Sequence, residues 1–208
     1  MIALPRDFSP PQLAFIKQTY LIFLVGLSSM FVLGLFSYFV LPQSLRWPLG
    51  LIDSLLWIVC GWFGLRQPIK LIFPVFIVIT GLFFGQLARA NAGLFMTSAV
   101  LTVLVFAGVT AYVFSSDRDF SFLRDKLSYG FWFLIAGSLL LLFVKVSFLS
   151  LLLGIVGTAI FIGWLLYDTS QILSRMDGDY PPASGAFDLM MDIVGLRSWI
   201  ESLLRHFD

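Results

Sequence analysis

The chain has 208 residues, of which 59% are hydrophobic and 12% are charged, and its formal net charge at pH 7 is +1. Because soluble domains carry about 25% charged residues, this composition excludes a water-soluble protein and predicts an integral membrane protein. The small net charge provides no basic surface for nucleic acid, and with one cysteine, Cys60, the chain cannot form an internal disulfide.

Seven transmembrane helices are predicted within one domain that covers residues 1–208. A helix that spans a bilayer needs about 20 apolar residues. Only helices and closed barrels satisfy their backbone hydrogen bonds in lipid, and long continuous apolar runs favour helices. Residues 1–19 are the predicted cytosolic tail, because Pro10 and Pro11 precede the first apolar run and no cleavage pattern follows it. The predicted helices cover residues 20–41, 47–65, 69–88, 93–114, 128–147, 149–173 and 185–205.

The seventh segment differs from the others because charges of both signs lie along it. They are Asp188, Asp192, Arg197 and Glu201. The segment is either an amphipathic helix on the membrane surface or a spanning helix whose charges face other helices. We favour a spanning or re-entrant helix, with Arg197 and Glu201 neutralising each other across one turn. The small residues at Gly81/Gly85 and Ala159/Gly163 are interpreted as helix-packing positions.

The distribution of basic residues predicts a cytosolic N-terminus. Loops that face the cytosol carry an excess of Lys and Arg. With the N-terminus inside, the inner connections collect eight basic residues, which are Arg6, Lys17, Arg66, Lys70, Arg118, Arg124, Lys126 and Arg175. The outer connections collect four, which are Arg46, Arg89, Lys145 and Arg205.

Asp168 interrupts an apolar run near the end of the sixth helix, and Asp192 lies in the seventh. The predicted loop 176–185 separates these helices, and residue 180 lies midway between the two aspartates. Residues equally far from the turn of a helical hairpin lie at equal depth, so we expect the two carboxylates to face each other inside the membrane. Either aspartate alone is also compatible with a solvated helix end at the interface.

Two carboxylates in that position have three ways to reduce their repulsion. They share a proton, pair with a cation, or bind a metal. A shared proton makes the pair a latch that responds to pH, and Arg66 or Arg175 is the candidate cation. Asp168 and Asp192 also suit a transient Ca²⁺ site, although Ca²⁺ usually takes six to eight oxygen ligands.

Other polar residues suggest a pathway but no catalytic site. Asp53 is a third candidate buried acid, unless it is a carboxylate at a helix N-terminus, and Asp188 could add an oxygen ligand. His206 is predicted to be a solvated tail residue. The sequence has no Ser/His/Asp arrangement, phosphate-binding glycine loop or zinc spacing, so we predict neither enzyme activity nor a bound cofactor.

Four motifs resemble the Bax inhibitor-1 family, also called the transmembrane Bax inhibitor motif family. They are LYDTSQIL, SSDRDFSFL, ITGLFF and AFDLMMDIVGL, and the resemblance runs over residues 15–208. It implies an all-α fold with seven transmembrane helices in which the other six enclose the last. It also implies a pH-sensitive calcium leak in which Asp168 and Asp192 form a di-aspartyl gate, with Arg66 pairing with the closed form and Asp53 in the outer pathway.

The sequence therefore predicts a pH-regulated channel for Ca²⁺ or another cation. The alternative is a regulator that does not conduct and that binds a membrane protease or another membrane protein. The predicted partners are the lipid bilayer, calcium ions and other membrane proteins, and the predicted location is the bacterial inner membrane.

Overall fold

A computed structural model describes residues 8–63, 69–116, 118–144, 146–174 and 180–207. The described residues form α-helices and two short 3₁₀ helices, and none of them forms a β-strand. The α-helices are α1 (Pro10–Val40), α2 (Arg46–Phe63), α3 (Ile69–Ala90), α4 (Ala92–Ser115), α5 (Arg124–Phe143), α6 (Ser147–Ser174) and α7 (Pro182–Leu204). The 3₁₀ helices are Gln43–Leu45 and Ser121–Leu123.

Within the described part of the chain, four helices are long and apolar enough to cross a membrane. They are Pro10–Val40, Leu71–Ala90, Ala92–Ser115 and Ser147–Ser174. Their apolar side chains are largely exposed, as expected for surfaces that contact lipid rather than water. The prediction of an all-helical membrane protein is confirmed at this level.

Helix α1 begins ten residues before the position expected from hydropathy. Pro10 and Pro11 occupy its first turn, where backbone N–H groups have no partner within the helix and proline is tolerated. The helix has 31 residues, so it is ~46 Å long at ~1.5 Å per residue. Since the hydrocarbon core is about 30 Å thick, α1 either tilts or extends beyond it.

The described residues belong to two compact units. The α6 unit comprises the described residues within Met1–Ile16, Thr97–Asp177 and Met191–Asp208. The α3 unit comprises those within Lys17–Met96 and Gly178–Met190.

In the α3 unit, α1 and α3 run parallel and touch through glycines. A Cβ atom added to Gly85 would collide with the backbone oxygen of Gly34. A Cβ atom on Gly81 would lie 3.0 Å from the backbone of Met30. The helices approach so closely because these positions have no side chain, and the predicted packing role of Gly81 and Gly85 is confirmed.

In the α6 unit, α5 and α6 form an antiparallel hairpin. Gly130 of α5 lies against Ile160 of α6, and Gly163 of α6 lies against Leu127 of α5. In each pair, the two residues lie equally far along the chain from the turn between Phe143 and Ser147. The two helices therefore keep the same register along the hairpin. The predicted packing role of Gly163 is confirmed as well, but that of Ala159 is not, because Ala159 is exposed.

Helix α7 is buried along most of its length. Leu189, Met190 and Leu196 are fully buried, and Ser198 is the one exposed residue in this helix. A helix lying on a membrane surface exposes a broad polar face. The burial of α7 therefore favours a helix packed against other helices.

Candidate functional site: acids along the last two helices

The helix ends place Asp168 and Asp192 one turn apart in depth. Asp168 is half-buried and precedes the last residue of α6, Ser174, by six residues. Asp192 is 4% exposed and follows the first residue of α7, Pro182, by ten. The four-residue difference corresponds to ~6 Å along the axis. Equal depth was expected, and the difference arises because α7 starts three residues earlier than hydropathy suggests, with proline in its first turn.

Glycines hold α6 and α7 together as an antiparallel pair. A Cβ atom on Gly157 of α6 would collide with the ring of Trp199. A Cβ atom on Gly195 of α7 would collide with the ring of Phe161. These contacts define the face that each helix presents to the other, which we call the α6–α7 seam.

Asp168 lies on the face of α6 that forms the seam, and Asp192 lies on the corresponding face of α7. Asp168 follows Phe161 by seven residues, or about two turns, and Asp192 precedes Gly195 by three, or about one turn. Helical side chains lean toward the N-terminus of their own helix. In an antiparallel pair, the Asp168 side chain leans away from the connecting loop and the Asp192 side chain leans toward it. The lean of both side chains thus reduces the one-turn difference in depth.

The predicted cation partners, Arg66 and Arg175, lie outside the described residues. Within the described ranges, no three His, Cys, Asp or Glu side chains form a metal-binding group. A Ca²⁺ ion at Asp168 and Asp192 would need further oxygen ligands, because Ca²⁺ usually takes six to eight. Such a site suits a transient ion better than a stored one.

Asp53 lies inside the α2–α3 interface of the α3 unit. It is 7% exposed, and the Thr80 hydroxyl donates a 2.6 Å hydrogen bond to its Oδ1 atom. Trp57 and Phe76 are in edge contact one turn away along the same interface. Because α2 begins at Arg46, Asp53 is beyond the first turn and is not a carboxylate at the helix N-terminus.

Loss of the Thr80 hydroxyl should destabilise the protein. We expect Thr80→Val to lower the free energy of unfolding by about 1–3 kcal/mol, because a buried carboxylate loses a donor. Thermal unfolding in detergent measures the change. Thr102→Val is the matched control, since Thr102 is 2% exposed and its hydroxyl donates to the Ser98 carbonyl oxygen in its own helix. Equal losses in the two variants would contradict a specific role for the Thr80–Asp53 bond.

Asp188 lies on the same face of α7 as Asp192, one turn nearer the start of the helix. It is half-buried, and the hydroxyl of Tyr180 donates a hydrogen bond to it. Tyr180 therefore ties the segment before α7 to the first turns of that helix. Whether Asp188 also contributes to a cation pathway stays a prediction.

A charged stripe lies on the face of α7 opposite the seam. Glu201 accepts hydrogen bonds from Arg197 and Arg205, each one turn away. The side chains of Arg197 and Glu201 are 5% and 8% exposed, whereas that of Arg205 is 60% exposed. The predicted pairing of Arg197 with Glu201 is confirmed, and Arg205 is a second partner that the sequence analysis missed.

Two chain segments pack behind the last turns of α6. The backbone N–H of Phe120 points to the hydroxyl of Ser170 at 3.5 Å, and the side-chain amide of Gln12 donates to the carbonyl oxygen of Leu173. Phe120 is 8% exposed and its ring packs on Tyr112. The sequence gives no local signal for these contacts, because they join positions far apart in the chain.

A tight turn presents Phe120 to α6. The Asp119 carboxylate accepts hydrogen bonds from the Ser121 hydroxyl at 2.7 Å and from the Ser121 N–H at 2.8 Å. Both bonds lower the pKa of Asp119, and the bond from the hydroxyl has the larger effect. Because the pKa is lowered in the folded protein, ionised Asp119 stabilises the turn when the pH is above the usual pKa of a carboxyl group. This stabilisation is lost as the pH falls through the lowered pKa. The turn is therefore retained at neutral pH.

His206 is not the solvated tail residue that was expected. Its ring is half-buried, and Nε2 lies 2.9 Å from the Ser150 hydroxyl oxygen. The Ser150 hydroxyl donates its hydrogen bond to the Ser147 carbonyl oxygen. This contact attaches the end of the chain to the first turn of α6.

The chain is similar to proteins of a known family. Over residues 12–207 the chain matches the family described as "Inhibitor of apoptosis-promoting Bax1". An uncharacterised protein of Campylobacter jejuni is 30% identical over 208 residues, with 93% of this chain and 89% of that protein covered. Bax inhibitor 1 of Schizosaccharomyces pombe is 30% identical, with 79% and 66% covered. The Golgi anti-apoptotic protein of vaccinia virus is 34% identical, but the match covers 52% of this chain and 46% of the viral protein.

Proposed function

The chain belongs to the Bax inhibitor-1 family, and from that premise we propose that it is a pH-regulated leak channel for Ca²⁺ in which Asp168 and Asp192 form the gate. The observation that carries this proposal is the placement of both aspartates on the α6–α7 seam. Carboxylates on facing sides of two membrane helices are costly to ionise together, so their protonation state sets how closely the helices approach.

The proposed architecture has all seven helices spanning the membrane and α7 at the centre. Burial on both sides of α7 supports this arrangement, since Asp192 and Gly195 are buried on the seam and Arg197 and Glu201 are buried on the opposite face. A helix with buried charges needs protein rather than lipid around it. The proposed orientation has the N-terminus in the cytosol and the protein in the bacterial inner membrane, as the basic loops predict.

The gate works through repulsion between like charges. When one proton is shared, one carboxyl group donates a hydrogen bond to the other and the seam stays closed. When that proton is lost, two negative charges face each other and α6 moves away from α7. Water and a cation then reach the carboxylates, which offer the hard oxygen ligands that Ca²⁺ prefers. Arg66 or Arg175 is the proposed cation that stabilises the closed form.

Calcium entry into liposomes tests the proposal. We expect entry through the reconstituted protein to rise at least about tenfold between pH 5 and pH 8, which corresponds to a shift of ~1.4 kcal/mol between the closed and open forms. Asp168→Asn and Asp192→Asn should abolish the rise, because each variant removes the repulsion between Asp168 and Asp192. A fluorescent Ca²⁺ indicator inside the liposomes measures the entry rate.

Asp125→Asn is the matched control, because Asp125 is an exposed acid in the first turn of α5. This variant should keep the pH profile of the unmodified protein. Absence of Ca²⁺ entry at every pH would eliminate the channel. Entry with an unchanged pH profile in both Asp→Asn variants on the seam would place the gate elsewhere.

A second candidate function is a membrane regulator that does not conduct. It is favoured by the name of the viral relative, which refers to an effect on apoptosis rather than to transport. On this alternative, the protein binds a membrane protease or another membrane protein through its exposed apolar surface. The liposome assay separates the two functions, because a regulator gives no Ca²⁺ entry by itself.

A further inference from the structure

We propose that Phe120 and Gln12 are positioning residues that brace the last turns of α6 and keep Asp168 against α7. This inference rests on the proposed function, because it assigns these residues a role in setting when the gate opens. It concerns the segment between α4 and α5 and the first turn of α1.

The brace contacts the side of α6 that faces away from the seam. At about 100° per residue, Ser170 lies on nearly the opposite side of α6 from Asp168, although it is two residues further along. The backbone N–H of Phe120 meets Ser170 there. Gln12 binds the carbonyl oxygen of Leu173, in the last turn of the same helix. Both contacts therefore oppose movement of the Asp168 segment away from α7.

The brace is built from rigid parts. Phe120 is buried and packs on Tyr112 of α4, and the bonds from Ser121 to Asp119 hold the turn that presents it. On the other side, the ring of Phe8, just before α1, is in edge contact with Phe114 at the end of α4. Two segments, each in contact with α4, thus contact the end of α6 on the side away from the seam.

The brace acts on the gate through a simple mechanical balance. Repulsion between ionised Asp168 and Asp192 moves α6 away from α7, and the contacts at Ser170 and Leu173 resist that movement. A weaker brace lets the seam open when fewer molecules have lost the shared proton. The pH at which half of the Ca²⁺ entry is reached should therefore fall.

The first experiment measures the seam without requiring conduction. Nitroxide labels at Ala159→Cys on α6 and Ser198→Cys on α7, two exposed positions at the same depth of the helix pair, report the separation of the helices by electron spin resonance in a Cys60→Ser background. At pH 8 we expect Phe120→Ala to increase the mean distance between the labels by about 2 Å, the size of typical helix shifts. Phe122→Ala is the matched control, since Phe122 is 61% exposed in the same segment and should leave the distance unchanged.

The second experiment measures Ca²⁺ entry against pH in liposomes for the same variants. We expect Phe120→Ala to raise entry at pH 6 about fivefold, in the range of typical coupling between sites, and to shift the half-maximal pH downward. Gln12→Ala should shift it in the same direction, and Phe120→Leu should restore the profile because it refills the buried position. A merely structural phenylalanine would lower the melting temperature without moving the half-maximal pH.

The two measurements separate failure of the brace from failure of the channel. Identical label distances and pH profiles in Phe120→Ala and Phe122→Ala would overturn the brace. If the unmodified protein admits no Ca²⁺ at any pH and Phe120→Ala still lengthens the label distance, the brace stands as a determinant of the seam and the channel is eliminated. If Phe120→Ala does not fold, Gln12→Ala provides the same test from the other contact.

Discussion

Replacing Glu201 by glutamine should be among the most destabilising single changes in the described part of the chain, at about 3–5 kcal/mol. Glu201 accepts hydrogen bonds from Arg197 and Arg205 and is 6% exposed. Neutralising it removes the carboxylate that pairs with the buried guanidinium of Arg197. The loss is measured by thermal or denaturant unfolding in detergent, and the same variant should express poorly in the membrane.

The control for this prediction is Arg205→Gln. The Arg205 side chain is 60% exposed, so water and salt screen its ion pair, and the expected cost is below about 1 kcal/mol. A similar loss in both variants would mean that the stripe acts as one surface network. A small loss in Glu201→Gln would mean that other groups already balance the charge of Arg197.

Replacing Gly195 by alanine should open the α6–α7 seam close to Asp192. The added methyl group would collide with the ring of Phe161, and overpacking of this kind costs about 1–3 kcal/mol. Because the collision lies one turn from Asp192, we also expect Ca²⁺ entry to be higher at pH 5 and to depend less on pH. Thermal unfolding and the liposome assay measure the two effects.

A double variant tests whether this effect arises at the proposed contact. Phe161→Leu removes the ring that the new methyl group meets, so Gly195→Ala/Phe161→Leu should be more stable than the sum of the single losses implies, by at least about 0.5 kcal/mol. It should also recover part of the pH dependence. Purely additive losses would show that Gly195 is needed for a reason other than Phe161. Gly108→Ala is a neutral reference, since a Cβ atom there meets nothing within 4 Å.

Much of the helical pattern was predictable from the sequence, because long apolar runs in a bilayer have to form helices. The boundaries were less predictable. Pro10 and Pro182 lie before the apolar runs, so the predicted helices start after them. Proline is nevertheless compatible with the first turn of a helix, and both residues lie in such a turn. The earlier start of α7 places Asp192 one turn from the depth of Asp168 instead of at the same depth.

The candidate site was predictable where the signal was local. A carboxylate in an apolar run marks Asp168 and Asp53, and a four-residue spacing marks Arg197 with Glu201. The partner of Asp53 was also within reach of the sequence. Counting outward from the turn between α2 and α3 pairs Asp53 with Thr80, by the same reasoning that was applied to Asp168 and Asp192.

The sequence by itself determined the membrane class, the helices and the residues that carry charge into the apolar regions, because these follow from composition and local spacing. Only the tertiary structure decided which faces meet. The glycine contacts place Asp168 and Asp192 on one seam, and the Arg197–Glu201 pair on the other side of α7. The contact of Phe120 with Ser170 spans 50 residues, and nothing local in the chain specifies it. Such contacts depend on how whole helices pack, so they appear only when the fold is complete.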